Sequence, residues 1–243
     1  MGTTAVVLAG AVGAGVGALA PRLAAMVAEP RYGAGAPGHD AEDEALAPLK
    51  DLADPSLRIA TAIAGAISCL VLANQYTVGQ VAAVLCGLAL VLVVACLIDL
   101  RYLRLPNLLT YGGGVATVAA VVAVTYGLVD AGAGDAVKAA IVGLVAYAGF
   151  LLLVSVVFTL VTGKSGLGLG DVKLGLALGC TLGWVGYDGS LTGTFQYVIW
   201  GILAGNVLGA IGGLALTRLR PGRSFPFGPF LALGWLIVLA LQP

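Results

Sequence analysis

Two acidic residues stand apart from the rest of this 243-residue chain. Asp99 lies in Cys96-Leu97-Ile98-Asp99-Leu100-Arg101-Tyr102-Leu103-Arg104-Leu105-Pro106-Asn107, and Asp171 in Gly166-Leu167-Gly168-Leu169-Gly170-Asp171-Val172-Lys173-Leu174. Two carboxyl groups can hydrolyse a peptide without a covalent intermediate. The ionised one takes a proton from water, and the protonated one donates to the carbonyl oxygen or the leaving amine. Brought together, both cannot ionise, so they share one proton and titrate as a pair. Of the other acids, Glu29, Asp40, Glu42, Asp43, Glu44, Asp51 and Asp54 crowd one connection, and Asp130, Asp135 and Asp188 fall in short turns. Blander roles exist for the two that remain: Asp99 as an interfacial partner of Arg101, and Asp171 as a helix N-cap, favoured by up to ~1 kcal/mol. A cap does not call for Gly166, Gly168 and Gly170 before it. Such glycines cost conformational entropy, and they suit a place where another backbone passes close or a loop must flex.

The elements that must position these acids follow from composition. The chain is 60% hydrophobic and 10% charged, against ~25% charged in a soluble domain. That excludes a water-soluble globular domain. A net charge of zero excludes a basic nucleic-acid binder and an acidic disordered tail. Cys69, Cys86, Cys96 and Cys180 sit in apolar runs without a CxxC pair, as small buried hydrophobes do. The expected fold is an all-α, polytopic membrane helix bundle. Crossing hydrocarbon takes roughly 20 apolar residues, and eight spans are expected near 4–20, 57–76, 79–98, 107–128, 138–161, 172–187, 195–217 and 227–241. They form one membrane-embedded domain, 1–243, with residues 29–57 as a loop between the first two spans. Ala18-Leu19-Ala20 resembles a signal-peptide cleavage site, but no Lys or Arg precedes the apolar run and Pro21 follows it, so a retained first helix is expected.

Lys and Arg set the orientation. Arg22, Arg31, Lys50, Arg58, Arg101, Arg104, Lys164, Lys173, Arg218, Arg220 and Arg223 fall on one side, and Lys138 alone on the other. The odd connections, including the 29–57 loop, are therefore expected in the cytoplasm, with both termini outward. Span three ends at Asp99 and span six begins at Asp171, which puts both carboxyl groups at the cytoplasmic face. Gly175, Gly179 and Gly183 line one face of span six, and Gly201, Gly205, Gly209 and Gly213 one face of span seven. Small residues at that spacing let helix backbones approach closely, so a packing role is expected.

Gly-x-Gly-Asp before one span, with an aspartate ending an earlier one, resembles the GxGD intramembrane aspartyl proteases. The fuller text is similar to the prepilin peptidases (type IV leader peptidases) and the archaeal preflagellin peptidases. Asp99-x-Arg101 with Pro106-Asn107 matches the first-aspartate motif, Gly168-x-Gly170-Asp171-Val172-Lys173-Leu174 the second, and Pro226-Phe227-Gly228-Pro229-Phe230-Leu231-Ala232 the C-terminal signature. The likeness runs over spans two to eight. Many bacterial members carry two zinc-holding CxxC pairs after span one, associated with N-methylation. Here that connection has no cysteine and only His39, so four-ligand zinc is not available and methyl transfer is not expected; no cofactor or metal is implied.

The resemblance implies an aspartic endopeptidase of the inner (plasma) membrane. Asp99 and Asp171 would be catalytic, with Gly168, Gly170, Lys173, Arg101 and Asn107 as substrate-binding or motif support. Its substrates would be prepilin-like (type IV pilin or pseudopilin) precursors, each a short basic leader and an apolar helix, cut between the two at the cytoplasmic face. Its partners are those substrates and the lipid bilayer, not nucleic acid. Residues 29–58 carry a net charge of −4, which would attract a basic leader, although a solvated acidic loop explains it as well. Two other readings stand beside this one. A transporter is disfavoured because no span centre carries a charge. A noncatalytic pilus or secretion assembly factor is disfavoured by the intact aspartates.

Overall fold

The computed structural model describes residues 2–32, 49, 51–128, 132–162, 168–219 and 225–241. His39, the acids Asp40, Glu42, Asp43 and Glu44, Lys50, Asp130, Lys164, Gly166, Arg220 and Arg223 lie outside the described residues. The elements are α1 (Thr3–Tyr32), α2 (Pro55–Gln75), α3 (Gly79–Tyr102), a π-helical turn (Leu108–Gly112) running into α4 (Gly113–Leu128), α5 (Ala133–Thr162), α6 (Leu169–Val185), α7 (Leu191–Leu219) and α8 (Gly228–Leu241). No strand occurs among the described residues. The protein is an all-helical, polytopic membrane protein, and each of the eight expected spans is a helix.

Among the described residues six helical segments are long and apolar enough to cross a membrane, α4 together with the π-helical turn before it as Leu108–Leu128. The two exceptions are α6, with 17 residues, and α8, with 14. At 1.5 Å per residue they reach only about 26 and 21 Å, short of the ~30 Å hydrocarbon core. For α6 the reason is its surroundings: from Leu174 to Trp184 nearly every residue is buried, as in a helix enclosed by protein rather than facing lipid. The first helix also departs from expectation. It does not stop at Ala20 but continues through Pro21 and Pro30 to Tyr32. Arg22 is thus helical, and the connection begins later. Pro21 is buried with Ala20, Ala24 and Ala28 on one face, and that packed face continues the helix past the hydrogen bond the proline removes.

The described residues form two compact units. The first comprises Met1–Pro106 with Gly209–Pro229. Here α1 packs on α2 with the backbones nearly touching: a methyl group added at Gly13 would meet the Gly65 carbonyl carbon at 2.8 Å and the Cys69 Cβ at 2.9 Å. α3 lies against both helices. Asp54 caps α2, accepting the Ser56 amide at 2.9 Å and its hydroxyl at 2.8 Å. The Ser56 hydroxyl, then its amide, hold the Asp54 carboxyl below its usual range.

The second unit comprises Asn107–Leu208 with Phe230–Pro243. Its centre is α6, packed on α5 through glycines on both helices. A methyl at Gly179 would meet the Tyr147 Cβ at 2.5 Å and the Gly143 carbonyl carbon at 3.0 Å, and one at Gly183 the Gly143 Cα at 2.9 Å. Gly175, Gly179 and Gly183 therefore do pack helix against helix. So do Gly201, against Leu182, and Gly205, against Leu231. In the first unit Gly209 faces the Phe227 ring, while Gly213 is only in ordinary contact with Phe225, at 3.5 Å. The Trp235 indole N–H donates to the Thr181 hydroxyl at 2.9 Å, both side chains being buried, and ties α8 to α6.

Candidate active site

In the first unit, Asp99 sits in the last turn of α3 and is 5% exposed. Its Oδ2 accepts the backbone N–H of Gly228 at 3.0 Å. Gly228 opens α8, where the first N–H groups have no partner within the helix, so the carboxyl group is aimed by a donor that would otherwise be buried and unsatisfied. The segment Pro226-Phe227-Gly228-Pro229 presents that donor. Phe227 meets the ring of Phe225 edge-on at 6.1 Å, and Pro229 stands near the helix start, where a proline costs little.

The turn bearing Asp99 is closed off sharply. Leu103 takes the left-handed conformation, φ 54°, as no other non-glycine residue among those described does, and this costs roughly 1–2 kcal/mol. The strain ends α3 one turn after Asp99, with the Leu103 N–H donating to the Asp99 carbonyl at 2.9 Å. The Leu49 N–H satisfies the Leu100 carbonyl at 3.0 Å. Arg101 places its guanidinium 5.1 Å from the centre of the Tyr102 ring, which packs on Tyr32 at 5.9 Å.

In the second unit, Asp171 is 8% exposed. It is not the N-cap of α6. The helix begins earlier, with Gly168 as the capping residue and Leu169 and Gly170 in the first turn, so Asp171 is its third residue. The Asp171 N–H donates to the Gly168 carbonyl at 3.0 Å, which starts the helix before the aspartate. An acid in the first turn complements the helix dipole. Gly168 matters for a local reason. A Cβ there would lie 3.4 Å from Asp171 Oδ2, so a side chain at this position would press on the carboxyl group.

Lys173 and Asn107, 66 residues apart, are brought together: the Lys173 Nζ donates to Asn107 Oδ1 at 2.9 Å and lies 4.6 Å from the centre of the Tyr111 ring. Two residues beyond Asp171 on a helix, Lys173 projects to a different side, toward the π-helical turn. Tyr111 is not marked by any of the sequence motifs, although its position four residues after Asn107 puts the two on one helical face. Lys173→Met removes the charge–amide bond and the cation–ring contact together. It should lower stability by about 1 kcal/mol, a value kept small because the pair is partly exposed. The thermal midpoint should fall by a few degrees, and Lys173→Arg should recover part of the loss; an unchanged midpoint would count against the clamp.

Fold and site together define a class: a multi-helix integral membrane protein holding one buried aspartate at the end of a helix and another in the first turn of a second, after a glycine-rich approach. The chain belongs to the type IV leader peptidase family, whose model matches residues 86–214. It is similar to a prepilin leader peptidase/N-methyltransferase of Pseudomonas putida, 41% identical over 109 residues, covering 43% of this chain and 33% of that protein. A protein of the same name from Aeromonas salmonicida is 35% identical over 195 residues, covering 76% of this chain and 57% of the other. The chain thus spans between a third and just over half of the length of these relatives. No solved structure matches it.

Proposed function

We propose that the protein is an aspartic endopeptidase that removes the basic leader from prepilin-like precursors, with Asp99 and Asp171 as its catalytic pair. The order of the helices carries this reading. Asp99 lies in the last turn of the third helix and Asp171 in the first turn of the sixth, an order that supports both standing at one membrane face. The basic residues mark that face as cytoplasmic, where a leader is exposed, and leave both termini outward. Both carboxyl groups are buried, as a pair working beside lipid must be. Membership of the family and the printed names of the relatives support the leader as substrate.

In the proposed reaction one carboxylate removes a proton from water as the water oxygen attacks the scissile carbonyl carbon. The other carboxyl donates a proton to the carbonyl oxygen, and the tetrahedral species then expels the amine as its C–N bond breaks and the nitrogen is protonated. Gly168 and Gly170 leave room for the substrate strand, and the Gly228 amide holds the Asp99 carboxyl in orientation. The Lys173–Asn107 clamp positions the first turn of α6. Arg101 anchors the helix end on the cytoplasmic side. The relatives' second activity, methyl transfer, is not carried over, because the zinc-holding cysteine pairs of the resembling family have no counterpart in the first connection.

The direct test is incubation of the purified protein in detergent with a precursor bearing a basic leader and an apolar helix, with leader release read by mass spectrometry. Cleavage is expected for the wild type and none for Asp99→Ala; equal cleavage by both would remove the mechanism. A second expectation concerns pH. One group must be ionised and one protonated, so kcat/KM should rise and then fall with pH, in a bell reporting the two apparent pKa values of the pair. Measurement across pH 4–9, on the order of the carboxylate and coupled-pair range, checks it, and a profile flat throughout would argue against a shared proton.

A further inference from the structure

The far end of the second unit carries a feature that peptide cleavage does not use. Where α5 begins and the α6–α7 turn passes, a cleft of about 570 Å³ opens. It lies most of a helix away from Asp171, which sits in the first turn of α6; that helix ends at Val185, two residues before the cleft-lining Tyr187. Its polar lining is Asp135, Lys138, Tyr187 and Ser190, and its apolar lining is Ile141, Val142 and Leu191. The Lys138 Nζ bonds Asp135 Oδ1 at 2.8 Å at the mouth, and both side chains are exposed. The turn is rigidly shaped: Gly189 has φ +96°, and Asp188 accepts the Ser190 hydroxyl at 2.9 Å and its amide at 3.1 Å. Those bonds, the hydroxyl's first, hold the Asp188 carboxyl below its usual range.

Below the mouth the surface turns apolar along two helices. Val145 follows Ile141 by one turn on α5, and Phe195 and Ile199 follow Leu191 on α7; all five are exposed. Residues four apart share a helix face, so two apolar tracks descend from a polar rim into the depth of the membrane. A soluble anion has no use for such tracks, whereas a lipid has both parts. The charges at the rim choose among lipids. Lys138 is balanced by Asp135, and Asp188 stands close by in sequence, so the rim is not basic. An anionic headgroup is disfavoured there, and one carrying its own cation is favoured. Lys138, on the first turns of α5, can extend its amine to the headgroup level.

We propose that this cleft binds one zwitterionic phospholipid with a primary ammonium headgroup, its phosphate held by Lys138 and Tyr187, its ammonium by Asp135, and its acyl chains along Ile141 and Leu191. The test is native mass spectrometry of the purified full chain, delipidated in detergent and offered phosphatidylethanolamine, phosphatidylcholine or phosphatidylglycerol. Phosphatidylethanolamine should be retained at least tenfold better than either of the others at equal concentration. The double variant Asp135→Asn/Lys138→Met should abolish the preference, and Ile141→Trp, which fills the cleft from its apolar side without touching the charges, should weaken retention at least tenfold. Asp171→Asn should retain the lipid as the wild type does, which keeps this inference separate from the peptidase reading. Equal retention of the three lipids, a preference that survives both cleft variants, or full displacement by phosphoethanolamine without acyl chains would overturn it.

Discussion

Asp171→Asn should lower kcat/KM for leader cleavage by about 10³-fold or more, Asp99→Asn should do the same, and the double variant should be no worse than either alone. General acid–base participation by one positioned group is worth roughly 10²–10⁴-fold. Two groups that share a proton act as a unit, so removing the second costs little once the first is gone. Asparagine keeps the shape and much of the hydrogen bonding. The Gly228 N–H can still donate to an amide oxygen at position 99, where it now reaches Asp99 Oδ2 at 3.0 Å. The variants should therefore remain in the membrane and melt near the wild type. The measurement is kcat/KM for each single variant and the double, alongside thermal midpoints. Losses that multiply would mean two independent contributions rather than a pair. A single variant keeping a tenth of the activity would dismiss its residue from the chemistry.

A second large effect is expected far from any carboxyl group, at Gly179. Even a single methyl there meets the Tyr147 Cβ at 2.5 Å and the Gly143 backbone beside it. Neither obstacle is the free end of a flexible side chain, so relief requires α5 and α6 to move apart. Overpacking typically costs about 1–3 kcal/mol, and Gly179→Val, with three added carbons against backbone, belongs at the upper end. Asp171 lies eight residues earlier on the same helix, about 12 Å along its axis, so activity should fall with stability. Gly87→Ala is the matched control: it is exposed in the middle of α3, with nothing within 4 Å of the added carbon. It should be neutral or stabilising by up to ~1 kcal/mol, because alanine loses less entropy in a helix. Thermal midpoints of both variants in one detergent check the pair. Equal midpoints would show that the close approach of α5 and α6 is not what holds this unit together.

Much of the helix order is legible along the chain. Hydrocarbon accepts only long apolar helices of this kind, so runs of apolar residues bounded by Arg, Lys, Pro and Asp announce the elements locally. The scarcity of acids makes Asp99 and Asp171 conspicuous for the same reason: a carboxyl group beside lipid is costly and needs a purpose. Glycines four apart are equally visible, and their role in packing followed. A packing stripe does not name its partner, however. Gly13 and Gly17 carry the same spacing, and that they face Gly65 and Thr61 on the next helix depends on how α1 and α2 are oriented about their axes.

The same limit applies around the acids. Linear text gives residue types and spacing, which suffice for helices, for membrane residence and for the family, because those rest on local hydrogen bonding and on the solvent. It does not give the partners found across long stretches of chain. The Gly228 amide reaching Asp99, 129 residues apart, Lys173 closing on Asn107 and Tyr111, and Asp171 falling inside α6 rather than at its cap all emerge only on folding. So does the left-handed Leu103, since nothing in a leucine forecasts a conformation that other contacts must sustain. Directed hydrogen bonds and backbone strain are set by where helices pack against one another, and that is a property of the assembled chain.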